Sequence, residues 1–203
     1  MKRGKVFVIS GPSGVGKGTL CTELMTRYPE LAATTVSVTT RAPRPGETDG
    51  VHYYFRSDRE FDEMLAGDLF LETVDKFTHR YGTLFSEVER VLDAGKNVIL
   101  EIEMIGGANV KKRIPDAVLI FILPPTLSAL TDRIVGRGSE SAEQIRIRQA
   151  QVETEFDQAK PYEYFVVNDE LDLAVERVKA IIVAEGLKAD ACDVKKHYFG
   201  FGR

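Results

Sequence analysis

The chain has 203 residues, of which 43% are hydrophobic and 29% are charged, a composition usual for a globular protein that buries a sizeable core. Its formal net charge of -4 argues against broad binding to nucleic acids or anionic membranes, so any anion site would have to be built locally. The two cysteines, Cys21 and Cys192, lack metal-ligand spacing, and two free thiols in a reducing compartment are expected.

The N-terminus begins with basic residues and a short apolar run. This run lacks the longer apolar region and the small-residue cleavage site of a secretory signal. No segment is apolar over the length of a membrane span. We therefore expect a cytoplasmic protein.

Predicted strands and helices alternate along most of the chain. Continuous apolar runs predict buried strands at residues 5–10, 97–102, 117–123 and 164–167. Apolar residues at helical spacing predict helices at residues 16–28, 84–94, 126–135, 141–158 and 171–185. This alternation predicts an α/β fold with a mainly parallel sheet.

Residues 37–83 interrupt the alternation with short, polar, strand-rich segments. Runs rich in β-branched or aromatic residues predict short strands at residues 34–40, 52–55 and 70–74. Asp58 is predicted to cap a helix at residues 59–66, which Gly67 ends. We expect this interval to be an inserted substrate subdomain.

A glycine-rich loop follows the first predicted strand and opens the first predicted helix. Its residues are Gly11, Pro12, Ser13, Gly14, Val15, Gly16, Lys17, Gly18 and Thr19. The GxxxxGK spacing in this context is typical of a phosphate-binding loop, or P-loop, in which backbone N–H groups and a helix N-terminus face phosphate oxygens. Lys17 is expected to reach the β- and γ-phosphates and to neutralise charge during transfer.

The residue after the P-loop lysine departs from the usual pattern. A Ser or Thr that ligates magnesium normally stands there, whereas this chain has Gly18, with Thr19 one position later. Adenylate kinases show the same Gly-Lys-Gly-Thr order. No protein metal ligand is therefore predicted, and Mg²⁺ is expected to be held mainly by phosphates and water, with contributions from Thr19 or Glu101 left open.

A P-loop alone is compatible with a GTPase, an ATPase or a small-molecule kinase. The segment SVTTRAPRPGE at residues 37–47 places Arg41 and Arg44 three residues apart in a proline-bounded loop. Guanidinium groups bind phosphate in a bidentate way, and prolines reduce the entropy lost in holding such a loop. A second phosphate site is predicted here, with a solvated basic loop as the alternative.

Further motifs complete the pattern, namely GVHYYF at 50–55, FLE at 70–72, YGT at 81–83, RG at 137–138 and VND at 167–169. With the P-loop and the arginine loop, they make the chain resemble the guanylate kinases over about residues 5–186. The resemblance implies a P-loop nucleoside-monophosphate-kinase fold, with a mainly parallel sheet flanked by helices. It also implies transfer of the γ-phosphoryl group of ATP to GMP, giving ADP and GDP, in purine nucleotide metabolism.

The resemblance divides the single domain into parts. The nucleotide core would comprise residues 1–36, 84–125 and 157–186, the GMP-binding insert residues 37–83, and the helical lid residues 126–156. The tail of residues 187–203 fits no element. For it, packing on the body, self-association into a homo-oligomer and disorder are all open.

The same resemblance assigns residues to GMP. Those matched to the GMP phosphate are Ser37, Arg41, Arg44, Tyr53 and Tyr81. Glu72 matches the carboxylate that recognises guanine, and Thr83 stands where the family has Ser or Thr beside the base. A carboxylate accepts both N1–H and N2–H of guanine, a donor pair that adenine lacks, and a mismatched base would leave buried polar groups unpaired. An exposed strand position for Glu72 and purely structural roles for the tyrosines are the alternatives.

Two carboxylates follow the predicted strand at residues 97–102. Glu101 and Glu103 lie two residues apart and are therefore expected on the same side, at the carboxyl edge of the sheet where ligands bind. Glu103 occupies a GMP-binding position that is usually Asp in the family, and Ile105 stands where the family often has Gln. The role of Glu101 is less defined.

The remaining assignments concern the nucleotide and the lid. Arg133 and Arg137 match residues that contact ATP, Arg148 matches one that contacts GMP, and Asn168 matches a residue near adenine. Lys17, Arg41, Arg137 and Arg148 would be catalytic, since closure of the lid would exclude water and bring positive charge to the transferring phosphate. A solvated helical face is the alternative for the lid arginines.

Two competing functions are weighed against GMP phosphorylation. A kinase acting on a ribosyl phosphate would not need Glu72, Tyr81 and Thr83, since a sugar acceptor has no guanine edge. A non-catalytic guanylate-kinase-like module that binds peptides would typically lack a working P-loop, whereas this chain keeps Lys17. No nucleic acid or membrane partner is expected.

Overall fold

The computed structural model describes residues 3–76, 78–126, 128–130 and 158–188. The strands are β1 (Val6–Ser10), β2 (Ala32–Thr34), β3 (Val38–Thr39), β4 (Tyr54–Phe55), β5 (Phe70–Lys76), β6 (His79–Leu84), β7 (Asn97–Glu101), β8 (Val118–Leu123) and β9 (Tyr164–Val167). The helices are α1 (Lys17–Arg27), α2 (Asp58–Ala66), α3 (Phe85–Asp93), α4 (Met104–Arg113) and α5 (Leu171–Leu187).

The core is a five-stranded parallel sheet in the order β2-β7-β1-β8-β9. Alternate side chains of the central strand β1 enter two different cores, as expected from the two-residue period of a strand. Phe7 and Ile9 pack in one core with residues of α1 and α5. Val6 and Val8 pack in the other with residues of α3 and α4. The predicted α/β fold with a mainly parallel sheet is therefore confirmed.

A second sheet, in the order β4-β3-β6-β5, lies between β2 and α3 in the sequence. Its small core consists of Val38, Phe61 and Phe70, and the rings of Phe61 and Phe70 stack with their centroids 4.5 Å apart. Phe61 comes from α2, so this helix covers the sheet.

The N-terminus of α2 corrects one prediction. The capping residue is Ser57 and not Asp58, which is already helical. The Ser57 hydroxyl accepts the Glu60 N–H, and the Glu60 carboxylate accepts the Ser57 N–H, so the two residues form a capping box.

Other predicted boundaries also change. The stretch predicted at residues 34–40 is divided between two sheets, because Thr34 ends β2 whereas Val38 begins β3. The strand predicted at 52–55 covers only Tyr54–Phe55, and the one predicted at 70–74 extends to Lys76. Helix α4 and strand β6 were not predicted.

Several predictions lie outside the described residues. They include most of the helices predicted at 126–135 and 141–158, together with Arg133, Arg137, Arg148 and Cys192. Within the described part of the chain, no helix is both long enough and apolar enough to cross a bilayer.

Candidate active site

The P-loop connects the carboxyl end of β1 to the N-terminus of α1. Gly14 and Gly16 have φ angles of 84° and 98°, a left-handed conformation that glycine adopts without steric cost. Gly16 is the N-cap of α1, so the N–H groups of its first turn lack intrahelical acceptors and carry partial positive charge. The Lys17 ammonium donates to the carbonyl oxygens of Gly11 and Pro12, at 2.6 and 3.1 Å.

Asn168 supports this loop from behind. Its side-chain amide donates to the Val15 carbonyl at 2.8 Å, and its backbone N–H donates to Leu123 at the end of β8. A Cβ atom added to Gly16 would lie 2.7 Å from the Asn168 amide nitrogen, so the two residues are in close contact. Asn168 is 6% exposed and lies against the P-loop.

A cavity of about 520 Å³ runs from the P-loop to the second sheet. Its lining includes many of the predicted site residues, namely Ser13, Gly14, Gly16, Lys17, Gly18, Thr19, Ser37, Tyr53, Glu72, Tyr81 and Glu103. Four further lining residues are Val74, Gly82, Glu101 and Ile102. The cavity therefore joins the carboxyl ends of β1 and β7 to β5 and β6 of the second sheet, as ligand sites of parallel sheets do.

Glu72 is a buried acid in the wall of this cavity. It is 6% exposed and accepts a hydrogen bond from the Thr83 hydroxyl to Oε1 at 2.8 Å. Its Oε2 atom is buried without a hydrogen-bond partner among the described residues. Burial raises the pKa of Glu72, and the hydrogen bonds from Thr83 only partly oppose this. Thr83 does not line the cavity but holds the carboxylate that does.

Arg41 lies beside the cavity and is bound to Glu47. Both terminal nitrogens of its guanidinium donate to the Glu47 carboxylate at 2.9 Å. The guanidinium also lies over the Tyr53 ring, 5.5 Å from the ring centroid. The hydrogen bonds from Arg41, and then from the backbone of Arg44, lower the pKa of Glu47 to about 2. Arg44 is exposed, and its guanidinium makes no ion pair with a described residue.

Glu101 and Glu103 both reach the cavity from the end of β7. A Cβ atom added to Gly18 would lie 3.6 Å from each oxygen of the Glu101 carboxylate. The glycine that replaces the usual hydroxyl residue is thus adjacent to an acid. Glu103 is the N-cap of α4, and the nearby Ile105 is 60% exposed.

Comparisons with known proteins agree with this geometry. Residues 3–185 match the family model described as guanylate kinase. The chain is 46% identical over 198 residues to the guanylate kinase of Desulfitobacterium hafniense (strain Y51), covering 98% of this chain and 96% of that one. It is 44% identical to the guanylate kinase of Halalkalibacterium halodurans, covering 97% and 96% of the two chains. The chain belongs to the guanylate kinase family.

A solved guanylate kinase shows the same architecture. The crystal structure of the enzyme from Anaplasma phagocytophilum matches with a TM-score of 0.75 at 25% identity, and the match covers 100% of this chain and 98% of that one. The relationship therefore extends over the second sheet and is not limited to the P-loop.

The predicted guanylate kinase residues are not all at the cavity. The structure places Gly11, Pro12 and Val15 in the body of the P-loop, Asn168 behind it, and Arg41 and Arg44 beside or away from the cavity lining. The residues that the sequence did not single out are Val74, Gly82, Ile102 and Glu47. For Glu47 a signal was present, since it is the acid that closes the arginine loop.

Proposed function

We propose that the protein is an ATP:GMP phosphotransferase that makes ADP and GDP. The observation that carries this proposal is the buried carboxylate of Glu72 in the same cavity as the P-loop, in a chain of the guanylate kinase family. The cavity has a phosphate-binding loop at one end and the buried Glu72 carboxylate at the other. It therefore suits two substrates whose phosphates meet in the middle.

The base of GMP would bind at Glu72. Thr83 fixes one oxygen of the carboxylate, and the group retains acceptor capacity for the N1–H and N2–H donors of guanine. A sugar phosphate lacks this N–H pair, so the buried Oε2 atom of Glu72 would stay without its guanine donor. This argument favours GMP over a ribosyl phosphate as the acceptor.

The phosphate of GMP would bind near Ser37, Tyr53 and Tyr81, with Arg41 and Arg44 supplying positive charge. Ser37 and both tyrosines line the cavity. The rings of Tyr53 and Tyr81 meet edge to face, with centroids 6.0 Å apart, and Arg41 lies against Tyr53. We assign residues 37–83 to GMP binding on this basis, and Glu103 to the wall between the two substrates.

The triphosphate of ATP would bind to the P-loop. The N–H groups at the start of α1 face phosphate oxygens in this arrangement, and Lys17 would exchange its loop carbonyl partners for the β- and γ-phosphates. We further propose that residues 126–156 form a lid that brings Arg133, Arg137 and Arg148 to the phosphates.

Magnesium fits this end of the cavity. Glu101 lies beside Gly18, and Thr19 lines the cavity at the same loop. An ion held mainly by phosphates and water would find a carboxylate there for its water shell. When bound, it would neutralise phosphate charge and orient the γ-phosphoryl group.

The acceptor in this reaction is already an anionic phosphate, so no strong general base is required. The task of the protein is to align two phosphates and to offset their repulsion. Lys17 and Arg41 provide the positive charge at the two ends of the described site.

A screen of acceptors with ATP and magnesium tests the proposal. GMP should be phosphorylated, whereas AMP, UMP and ribose phosphates should react at least about 10³-fold more slowly, because none of them offers the adjacent N1–H and N2–H donor pair of guanine to Glu72. A comparable rate with a ribose phosphate would support the alternative, a kinase that acts on a ribosyl phosphate. No turnover and no nucleotide binding by calorimetry would contradict both.

The variant Lys17→Ala should lower kcat by about 10²-fold or more, because it removes a cation that stabilises the transition state. Its melting temperature should stay near that of the wild type, since Lys17 lines the cavity and its ammonium donates to two carbonyls of the P-loop itself. Lys112→Ala, which removes an exposed lysine on α4, is the matched control. Wild-type turnover in Lys17→Ala would refute the role of the P-loop.

A further inference from the structure

Helix α4 contains two consecutive glycines, Gly106 and Gly107, in its first turns. Neither has a positive φ angle, so the helical backbone at these positions would accept any L-residue. Glycine within a helix costs about 1 kcal/mol relative to alanine. The benefit of glycine at these positions must therefore come from what surrounds the missing side chain.

The nearest neighbour of Gly106 is the carboxylate of Glu72. A Cβ atom added to Gly106 would lie 2.9 Å from Glu72 Oε2 and 3.6 Å from its carboxyl carbon, whereas the third neighbour is Ile102 Cδ1 at 3.3 Å. The contact joins α4 to β5, two elements that pack closely along their length. The Glu72 carboxylate thus rests directly on the backbone of α4.

Glu72 has little freedom to move away from a larger residue. Thr83 holds Oε1 at 2.8 Å, and the side chain is almost completely buried. Oε2 has no hydrogen-bond partner among the described residues, so the contact with Gly106 and the bond to Thr83 together fix the plane of the carboxylate. A methyl group at position 106 would push Oε2 away from α4 and turn the carboxylate out of this plane.

We propose that Gly106 is a positioning residue for guanine recognition: it leaves the space that allows the Glu72 carboxylate to present both oxygens to the guanine edge. The inference rests on the proposed function. It is specific to the base, since Gly106 does not line the cavity and the side-chain atoms nearest to its missing Cβ belong to Glu72 and Ile102.

The variant Gly106→Ala tests this proposal through kinetics with GMP and with IMP, which lacks the N2 amino group. The KM for GMP should rise about tenfold or more, as expected for the loss of one hydrogen bond to a charged group. The ratio of kcat/KM for GMP to kcat/KM for IMP should fall towards the value of the same ratio in the Glu72→Gln variant. The kcat at saturating GMP and the KM for ATP should change by less than about threefold, because the phosphate ends of the site are untouched.

Two further variants separate this role from a general effect. In the Glu72→Gln background, Gly106→Ala should change the KM for GMP by less than about threefold, because residues that act through one another are not additive. Gly186→Ala in α5 is the matched control, since a Cβ atom added there meets no described atom within 4 Å. It should leave both the KM for GMP and the GMP/IMP ratio unchanged.

The outcomes distinguish the two proposals. An unaltered GMP/IMP ratio in Gly106→Ala, or an equal loss with and without the Glu72 carboxylate, would overturn the role of Gly106. Failure of the wild-type protein to phosphorylate GMP would instead overturn the proposed function. If Gly106→Ala lowers the melting temperature by about 10 °C, its effect is measured again in a Glu72→Ala background. Recovery of stability there supports the contact, and continued loss refutes it.

Discussion

The Glu47 carboxylate binds the Arg41 guanidinium, the group that we propose to bind the phosphate of GMP. Glu47 accepts hydrogen bonds from both terminal nitrogens of Arg41, and the Ala42 carbonyl accepts another from Nη1. The hydrogen bonds with Glu47, and then a side-chain hydrogen bond with Tyr81, raise the pKa of Arg41, so a phosphate would meet this guanidinium beside the Tyr81 hydroxyl. Glu47 also accepts the backbone N–H of Arg44 at 2.7 Å, so it holds the whole arginine loop in shape. We therefore expect Glu47 to orient Arg41 and not to compete with the substrate.

From this geometry we expect Glu47→Gln to raise the KM for GMP by about tenfold, because an amide cannot accept both guanidinium hydrogens. The KM for ATP should not change. Asp75→Asn, at an 86% exposed carboxylate of the same sheet, is the matched control and should have no effect. A lower KM for GMP in Glu47→Gln would show that the carboxylate competes with phosphate.

The raised pKa of Glu72 predicts a pH dependence of GMP binding. Only the ionised carboxylate accepts both guanine N–H groups, since the protonated form directs an O–H donor at them. In the free enzyme the pKa of Glu72 lies above its ordinary value of 4.5. The KM for GMP should therefore fall as pH rises through this pKa, and GMP binding should release a proton there.

The measurement is the KM for GMP against pH in the wild type and in Glu72→Gln. The phosphate of GMP titrates equally in both experiments, so the difference between the two profiles belongs to Glu72. Parallel profiles would mean that Glu72 does not recognise the base in its ionised form.

At the scale of elements, Glu87 of α3 connects the two sheets. It is 6% exposed, and its carboxylate accepts the Val36 N–H at 3.0 Å and the Tyr54 hydroxyl at 3.2 Å. Val36 lies between β2 and β3, where the chain leaves the parallel sheet for the second one. Arg90 adds a further hydrogen bond at 2.8 Å, and this bond is the main reason that the pKa of Glu87 is lowered.

Glu87→Gln should therefore lower the free energy of unfolding by about 1–3 kcal/mol, because the donors around it lose a charged acceptor. Since the folded pKa lies below the ordinary value of 4.5, this stabilisation is present above pH 4.5 and is lost as pH falls through the folded pKa. Urea melts at neutral and acidic pH measure both effects. Glu89→Gln, at a 53% exposed position of the same helix, should change little.

The elements also show what a sequence pattern predicts and what it misses. β1, β7 and β8 are continuous apolar runs because both faces of the parallel sheet are covered, and their prediction is confirmed. Helix α4 was missed because Gly106 and Gly107 lower its helix propensity, although parallel β7 and β8 require a crossover between them. β6 was missed because its residues are mostly polar and become a strand by pairing with β5.

At the scale of the whole molecule, the cavity unites motifs that are distant in the sequence. The P-loop, Glu72 and Tyr81 were predicted because each belongs to a recognisable motif, and the structure brings them to one cavity. The contacts of Glu47 and Gly106 depend on how a loop closes and on how α4 packs against β5. A pattern of residue types does not determine such distances, so the contacts of Glu47 and Gly106 are visible only in the folded structure.

The opposite edge of the parallel sheet carries a buried charge network far from the cavity. Glu185 of α5 is 2% exposed and accepts hydrogen bonds from Lys5 Nζ at 3.2 Å and from the Tyr164 hydroxyl at 2.5 Å, and it pairs with Lys188. It thereby ties the last described helix to the starts of β1 and β9. Burial alone would raise the pKa of Glu185, but the hydrogen bonds from Lys188, Tyr164 and Lys5 outweigh it and lower the pKa to about 2.

Glu185→Gln should lower the free energy of unfolding by about 1–3 kcal/mol, because Lys5 and Tyr164 lose a charged acceptor in a buried place. The stabilisation by Glu185 should be complete above pH 4.5 and should disappear as pH falls towards about 2. In this range the unfolded chain takes up the proton at the ordinary pKa of 4.5, whereas the folded carboxylate takes it up only near pH 2. The kcat with GMP should stay within about twofold, since the proposed phosphate sites lie at the other edge of the sheet. Urea melts and kinetics on the same preparation decide the matter: a large loss of kcat without a loss of stability would mean that the α5 network is coupled to the active site.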